Sequence, residues 1–265
     1  MDFGVAPVTA LLLACAAFVA GFVDAIAGGG GLIVLPSLLL AGLPPVNALA
    51  TSKLQSTIGV SAAVFAFARA GALEKRHILP LLSSALTGGV LGAMTAKHLP
   101  LEIIRLVIPF FLIAIALYML FAPKLGEEAR HARLSVPAFA ASFGLGIGYY
   151  DGIFGPGTGT FFYIALIVMA GFTMVSAVAH TKLMNWGSNF GALMFFLISG
   201  AAMIPLGLTM GAASALGSYL GARASLKFGS RLIRPLVVAV ALIMALRLML
   251  DSRHPIGAWV ASYFG

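Results

Sequence analysis

The 265-residue chain is 61% hydrophobic and only 9% charged, which excludes a water-soluble domain with a polar surface. Its formal charge of +8 comes from Lys and Arg residues that lie mainly between apolar runs, a pattern typical of membrane proteins rather than of a nucleic-acid-binding surface. The composition therefore predicts an integral membrane protein whose partner is the lipid bilayer, with no nucleic acid partner.

Apolar runs of about 20 residues, the length that crosses a bilayer as a helix, fill most of the chain. The pattern lacks the strict alternation of a membrane barrel, so we expect an all-α integral membrane protein. In chain order the predicted elements are 8–27, 32–41, 46–70, 78–97, 101–122, 136–154, 160–170, 174–200, 203–224 and 231–250. The elements 32–41 and 160–170 are short, and each follows a glycine-rich break.

The chain contains an internal repeat. In each half an apolar run meets one aspartate, Asp24 or Asp151, then a glycine cluster, and about thirty residues later a lysine, Lys53 or Lys182. We therefore divide the chain into a first membrane repeat (1–123), a cytoplasmic linker (124–135), a second membrane repeat (136–250) and a C-terminal tail (251–265).

Each repeat has about five helical elements, an odd number, so crossing by all five predicts two inverted repeats. On that model three polar segments share one side of the membrane, and they hold ten of the sixteen Lys and Arg residues, against four on the other side. This asymmetry places the basic side in the cytoplasm and both termini outside. We expect a multi-pass membrane protein.

Four charged residues are predicted to lie deep in the membrane: Asp24, Asp151, Lys53 and Lys182. Such a charge costs about 3 kcal/mol even on lenient insertion scales, so each must face protein, water or a ligand. The simplest expectation is that each aspartate pairs with the lysine of its own half and neutralises it. The polar residues around the two lysines need a further explanation.

The glycine clusters precede short helices, whose N-terminal N–H groups favour an anion. Broken helices at matching positions of two halves indicate a transporter's substrate site, although glycines and small hydroxyls also serve close helix packing. The expected substrate-binding residues are Gly29, Gly30, Gly31, Thr51, Ser52, Lys53, Gln55, Ser56, Gly157, Thr158, Gly159, His180, Thr181, Lys182 and Asn185. His180 stands where the first half has Thr51, and either a structural hydrogen bond or a proton relay is open to it.

The stretches from Asp24 to Ile33 and from Asp151 to Thr160, with the paired Lys53 and Lys182, resemble the TauE/SafE family of sulfite exporters and related permeases. The resemblance spans roughly 8–250. It implies a secondary transporter of a small sulfur-containing or carboxylate anion, such as sulfite, a sulfonate or sulfoacetate, in the bacterial inner membrane. We expect an exporter of a sulfur-containing anion that works by alternating access. It leaves the anion open.

Asp24 and Asp151 are candidates for coupling transport to protons, or for keeping the lysines charged. An anion channel and an uptake carrier for a small carboxylate are the alternative functions. The sequence offers no metal-ligand spacing, no phosphate-binding loop and no activated nucleophile, so we expect neither an enzyme nor a cofactor or metal, and the oligomeric state is open.

Overall fold

The computed structural model of the protein describes residues 4–96, 98, 110, 113, 117, 131–228, 242 and 246. Within these residues every regular element is a helix, as the all-α prediction requires. The helices are α1 (Pro7–Ala27), α2 (Gly31–Leu40), α3 (Pro45–Arg69), α4 (Lys75–Ala96), α5 (136–153), α6 (Thr158–Val168), α7 (Met174–Ile198) and α8 (Ile204–Phe228). The predicted helices at 101–122 and 231–250, most of the linker and the tail lie outside the described residues.

Proline and glycine set several helix boundaries. Pro7, Pro45 and Pro137 stand in the first turns of α1, α3 and α5, where a missing N–H costs nothing and the fixed φ suits a helix. Helix α1 ends at Gly28, whose φ of 79° lies in the left-handed region. In α5 one π turn, Ala140–Gly144, interrupts the α-helical geometry between Val136–Phe139 and Leu145–Ile153.

The outer surface is apolar, as a lipid-facing surface must be. Val8, Leu79 and Ile198 are 70%, 75% and 88% exposed, while polar side chains of α3 and α7 are buried. By length and composition, the described helices Pro7–Ile26 and Lys75–Ala96 could each cross a membrane. Helices α3, α7 and α8 are 25 residues long, and their buried polar groups lower their mean hydropathy.

The two halves pack against each other reciprocally. Helix α1 lies along α8, and its repeat counterpart α5 lies along α4, the counterpart of α8. Helix α3 also lies along α8, its counterpart α7 lies along α4, and α3 meets α7 at the centre. Almost every extensive contact thus joins an element of one half to an element of the other, so neither half forms a separate bundle.

Glycines allow these helices to approach closely, and the contacts also record the register. Close approaches that show the register are Phe18 with Gly217, Phe22 with Gly221, Gly88 with Leu145, Gly92 with Tyr149, Leu54 with Gly207, Ile58 with Gly211, Leu82 with Gly187 and Leu86 with Gly191. At the centre the numbering runs the other way: Asn47 contacts Ala201, Ser61 contacts Trp186 and Glu74 contacts His180. The small-residue spacing of α4 and α8 therefore serves helix packing.

The contact between α1 and α8 is testable with Gly217→Ala. A Cβ at Gly217 would overlap the Phe18 carbonyl oxygen, so the helices must separate, and we expect a loss of about 1–3 kcal/mol, seen as a lower Tm by circular dichroism in detergent. Gly146→Ala is the control, because a Cβ there meets nothing within 4 Å and favours the helix. Equal effects of the two substitutions would contradict the packing described.

Candidate functional site

The two glycine breaks meet at the centre of the molecule. The break between α1 and α2 and the break between α5 and α6 are in backbone contact through Gly28 and Gly159. A Cβ on Gly28 would lie 2.7 Å from the Gly159 Cα. Gly155 and Gly157 have φ of 88° and 80°, so the second break, like Gly28, uses the left-handed conformation that glycine allows. Side chains at this crossing would force the two breaks apart.

Each buried lysine pairs with the aspartate of the other half. Lys53 Nζ lies 2.9 Å from Asp151 Oδ1, and Lys182 Nζ lies 3.0 Å from Asp24 Oδ2. Each lysine also donates to the backbone carbonyl of its aspartate, in the last turn of α1 or α5. The expectation of pairing within each half is therefore wrong. The reason is that α3 and α7 each reach across to the C-terminal end of a helix in the other half, where the helix dipole favours a cation.

The two aspartates have different hydrogen-bond partners. Asp151 accepts from Lys53 at Oδ1, at 2.9 Å, and from the Ser188 hydroxyl at Oδ2, at 2.5 Å. The Thr158 hydroxyl lies 2.9 Å from Asp151 Oδ1 and 2.7 Å from the Gly155 carbonyl, so these two acceptors share its proton. Asp24 accepts the Gly30 N–H at Oδ1, at 3.1 Å, and Lys182 at Oδ2. The side chain of Asp24 is 10% exposed, against 2% for Asp151. The pairs are equivalent in the repeat but not in their surroundings.

A polar cavity lies between the two ion pairs and has a volume of about 510 Å³ including its opening. Ten of the residues predicted for the site line it: Asp24, Gly30, Gly31, Ser52, Lys53, Gln55, Ser56, Asp151, Gly159 and Asn185. The structure thus brings together the first-half polar stripe of α3, one asparagine of α7 and both glycine breaks. Gly29, Gly157 and Thr158 are not part of this lining.

Lys182 and Thr181 line a second, smaller cavity of about 220 Å³ with Tyr163 and Val178. Gly28 and Gly159 line both cavities, so their backbone contact forms the wall between them. The Thr181 hydroxyl is buried and has no hydrogen-bond partner among the described residues. The two lysines, predicted to face one site, therefore belong to different cavities in this conformation.

Thr51 and His180 lie at equivalent positions of the repeat, and each accepts a hydrogen bond from a backbone N–H at the start of a helix in the other half. Thr51 Oγ1 accepts the Met203 N–H, immediately before α8, at 3.1 Å, and His180 Nε2 accepts the Glu74 N–H, immediately before α4, at 3.2 Å. Each therefore accepts a free N–H at the start of a helix. His180 Nδ1 donates to the Ser176 carbonyl at 2.8 Å, which defines its tautomer. The structure places the His180 ring at this hydrogen bond and outside the cavity lining.

Three further hydrophilic residues line the main cavity: Asn189, Ser214 and Ser218. Asn189 lies four residues after Asn185 on the same face of α7 and donates to its Oδ1 at 3.0 Å. Ser214 and Ser218 were absent from the predicted site, because in a helix rich in small residues they resemble packing positions. Ser214 and Ser218 lie four residues apart and so share one face of α8, and this polar face was the sequence pattern that could have indicated them.

Among the described residues no group of three or more His, Cys, Asp and Glu side chains could hold a metal ion. The chemistry available in the main cavity is therefore that of the Lys53–Asp151 pair, the Asp24 carboxylate of the second pair, amides and hydroxyls. It is suited to binding a small polar or charged molecule, and among the described residues that line it no side chain is arranged for covalent catalysis.

An apolar outer surface that encloses ionisable side chains at two crossed helix breaks defines a membrane transporter. The chain belongs to the TauE/SafE family, because the family model "Sulfite exporter TauE/SafE" matches residues 13–248.

Curated relatives carry matching names. The chain is 43% identical to "Probable membrane transporter protein ORF9" of Sinorhizobium sp., over 92% of this chain and 94% of that protein. It is 41% identical to "Probable membrane transporter protein" of Haemophilus influenzae, over 95% of this chain and 98% of that protein. It is 38% identical to "Probable membrane transporter protein YfcA" of Escherichia coli K12, over 94% and 93%. No solved structure matches the chain.

The exchanged pairing is testable by a double-mutant cycle. Lys53→Met and Asp151→Leu should each lower stability by about 3–5 kcal/mol, because each leaves a buried charge unpaired, and the double variant should recover most of the loss. The control is Lys53→Met with Asp24→Leu, which removes both charges of one half and leaves two unpaired charges. Recovery of Tm in that control instead would contradict the exchanged pairs.

The hydrogen bonds at the helix starts give a second prediction. Thr51→Val keeps the shape and removes the acceptor for the Met203 N–H, so we expect a loss of about 1 kcal/mol and a lower Tm. Thr209→Val is the control, because the exposed Thr209 hydroxyl only donates to a carbonyl of its own helix, at 2.9 Å. Equal Tm values for Thr51→Val and Thr209→Val would show that this contact between the halves contributes nothing.

Proposed function

We propose that this protein is a secondary transporter that moves a small sulfur-containing anion, such as sulfite, a sulfonate or sulfoacetate, across the bacterial inner membrane. The observation that supports this most is the polar cavity between two exchanged Lys–Asp pairs, at the crossing of two helix breaks. The family name supplies the sulfur-containing class, and the cavity supplies the reason for an anion.

The cavity offers hydrogen-bond donors that the protein itself does not use. Gln55 Oε1 accepts the Ser56 hydroxyl at 3.2 Å, so its NH₂ group points elsewhere and has no partner within the described part of the chain. Asn185 Oδ1 accepts from Asn189, which leaves the Asn185 NH₂ group equally unpartnered among those residues. Both amides line the cavity, one from each half. Donors on opposite walls suit the several oxygens of a sulfur oxoanion or sulfonate.

The two ion pairs add selectivity for charge. With both aspartates ionised the four charges sum to zero, so the cavity is polar without repelling a negative ligand. Lys53 lies in the cavity wall and supplies the cationic contact that an anion needs, while Lys182 lies behind the wall, in the smaller cavity. The helix breaks contribute N–H groups at the start of α2 and α6, where the dipole again favours negative charge.

We also propose that the halves are inverted repeats that rock around the cavity to alternate access. The registers support this orientation: numbering rises together along α1 and α8, α3 and α8, α4 and α5, and α4 and α7, and in opposite senses along α3 and α7. By these registers α1 and its counterpart α5 point in opposite directions. Reciprocal packing between inverted halves is the arrangement that exchanges two access states by a symmetric movement.

The same registers support the proposed membrane orientation. The ends of α3 and α8 and the starts of α4 and α5 fall at one end of the molecule. Its basic residues in the described chain are Arg69, Lys75, Arg76, Arg133, Arg223 and Lys227. An excess of Lys and Arg marks the cytoplasmic side, so we place this end in the cytoplasm.

A carrier is favoured over an anion channel by the backbone contact of Gly28 with Gly159, which separates the two cavities. An open channel would need a continuous polar path. The direction of net transport follows the gradients, so the same geometry serves export or the uptake of a small carboxylate.

The experiment is a thermal-stability screen of purified protein against sulfite, sulfate, thiosulfate, sulfoacetate, taurine and small carboxylates, followed by flux in liposomes. A sulfur-containing anion should raise Tm with saturation, and its flux should saturate and show counterflow. Flux that rises with anion concentration without saturating would show that the protein is a channel and not a carrier. Stabilisation by none of these anions would overturn the anion site.

The amide donors give a matched pair of variants. Asn185→Leu should weaken the Kd of the stabilising anion by about tenfold or more, because it removes a hydrogen bond to a charged ligand worth about 1.5–3 kcal/mol. Asn47→Leu is the same chemical change outside the cavity, at a residue that donates to the Ala201 carbonyl, and it should leave Kd unchanged. Similar Kd values for both variants would remove Asn185 from the binding site.

A further inference from the structure

We infer that Asp24, and not its repeat counterpart Asp151, is the carboxylate that takes up the proton when this protein binds its anion. The inference rests on the proposed function, and it names the group that would couple anion binding to protons. It follows from differences between two ion pairs that the internal repeat would otherwise make equal.

Asp151 has more hydrogen-bond donors within reach than Asp24. Lys53 donates to its Oδ1 at 2.9 Å and Ser188 to its Oδ2 at 2.5 Å, and the side chain is 2% exposed. The Thr158 hydroxyl lies 2.9 Å from Oδ1 and 2.7 Å from the Gly155 carbonyl, so the two acceptors share its one proton. A proton arriving at this carboxylate would have to displace or reverse one of these hydrogen bonds. We therefore assign Asp151 as the counter-charge of Lys53.

Asp24 is held by fewer donors and is more accessible. Its two partners are the Gly30 N–H and Lys182, one on each oxygen, and its side chain is 10% exposed to the cavity. Each oxygen keeps a lone pair for a proton. Lys182 would retain the Asp24 backbone carbonyl as an acceptor after protonation, so the ammonium group would not be left without a partner.

The difference between the aspartates originates in two positions of the repeat. Thr158 follows Asp151 by seven residues, and the residue seven after Asp24 is Gly31. Ser188 follows Lys182 by six residues, and the residue six after Lys53 is Gly59. The second half thus supplies two hydroxyls where the first half has hydrogen atoms only. Close packing maintains the glycine at 59, because a Cβ there would lie 2.9 Å from the Ser214 Cβ.

The other titratable groups near Asp24 leave it as the site of proton uptake. Lys182 faces it from α7, and Lys53 and Asp151 face it across the cavity. Among the described residues α2 contributes no titratable group. Tyr163 of α6 lines the smaller cavity, His180 of α7 is bound to the Glu74 N–H, and Arg223 of α8 lies over the Tyr219 ring at 5.5 Å.

Protonation of Asp24 changes the summed charge of the two ion pairs from zero to +1, because Lys182 loses its counter-charge. An anion then restores neutrality, so proton and anion bind with positive coupling, and by reciprocity each raises the affinity for the other. For one coupled proton the Kd of a permanently ionised anion falls by up to about tenfold for each unit by which pH is lowered. An anion-loaded cavity whose charges sum to zero also costs less to close off from water inside the membrane.

The first test follows the proton by infrared spectroscopy. The difference spectrum of the protein with and without methanesulfonate should show the C=O band of one buried carboxylic acid in the wild type. The band should be lost in Asp24→Asn and retained in Asp151→Asn. A band retained in Asp24→Asn and lost in Asp151→Asn would reverse the assignment. A band unchanged in both, or absent from the wild type, would overturn it.

Ser188→Ala gives a second variant that leaves both aspartates in place. It removes the donor that lies 2.5 Å from Asp151 Oδ2, and so should add a second buried carboxylic acid band to the same difference spectrum. An unchanged difference spectrum in Ser188→Ala would remove the reason for distinguishing the two carboxylates.

The pH dependence of methanesulfonate binding tests the coupling, because methanesulfonate stays ionised at neutral and mildly acidic pH. Its Kd should fall as the pH is lowered in the wild type and in Asp151→Asn, and should be independent of pH in Asp24→Asn. A pH dependence retained in Asp24→Asn would overturn the inference while leaving the anion site intact. Absence of binding by methanesulfonate and by every anion of the screen would instead overturn the proposed function, and the coupling with it.

Discussion

The structure depends on two buried ion pairs that join its halves. A lone lysine or aspartate inside a membrane protein is costly, and each of the four is neutralised only by a residue from the other repeat. The pairs therefore act as links between α3 and α5 and between α7 and α1. They also place both aspartates and Lys53 in the wall of the main cavity, with Lys182 in the smaller cavity beside it, so the contacts that join the halves are also part of the candidate binding site.

The glycines at the helix breaks make this arrangement possible. Gly28 and Gly159 meet backbone to backbone, and that contact brings the C-terminal ends of α1 and α5 within reach of the opposite lysines. The aspartate carbonyls at these ends accept from the lysines in addition to the carboxylates. A wall made of glycine backbone can separate two cavities without bulky side chains, which is the property that the proposed alternating access requires.

The repeat is informative where it is broken. Thr51 and His180 differ in chemistry, yet each accepts the first free N–H of a helix in the other half, so the difference does not change the architecture. Thr158 and Ser188, by contrast, occupy the repeat positions at which the first half has Gly31 and Gly59, and their hydroxyls contact Asp151 alone of the two aspartates. Small departures from symmetry of this kind allow two equivalent ion pairs to take different roles in the mechanism we propose.

The sequence by itself determined the membrane class, the family, the repeat and most helix boundaries, because hydropathy, proline and glycine act locally along the chain. The helix predicted at 46–70 is observed at Pro45–Arg69, and the one predicted at 174–200 at Met174–Ile198. It also singled out the four buried charges by their cost in lipid. Only the tertiary structure decided which lysine meets which aspartate, because that depends on how the halves interlock, and no local pattern records a contact between residues about a hundred or more positions apart. The same reason explains why Ser214 and Ser218 were missed and why Thr51 and His180 proved to bind helix starts: their partners come from the other half.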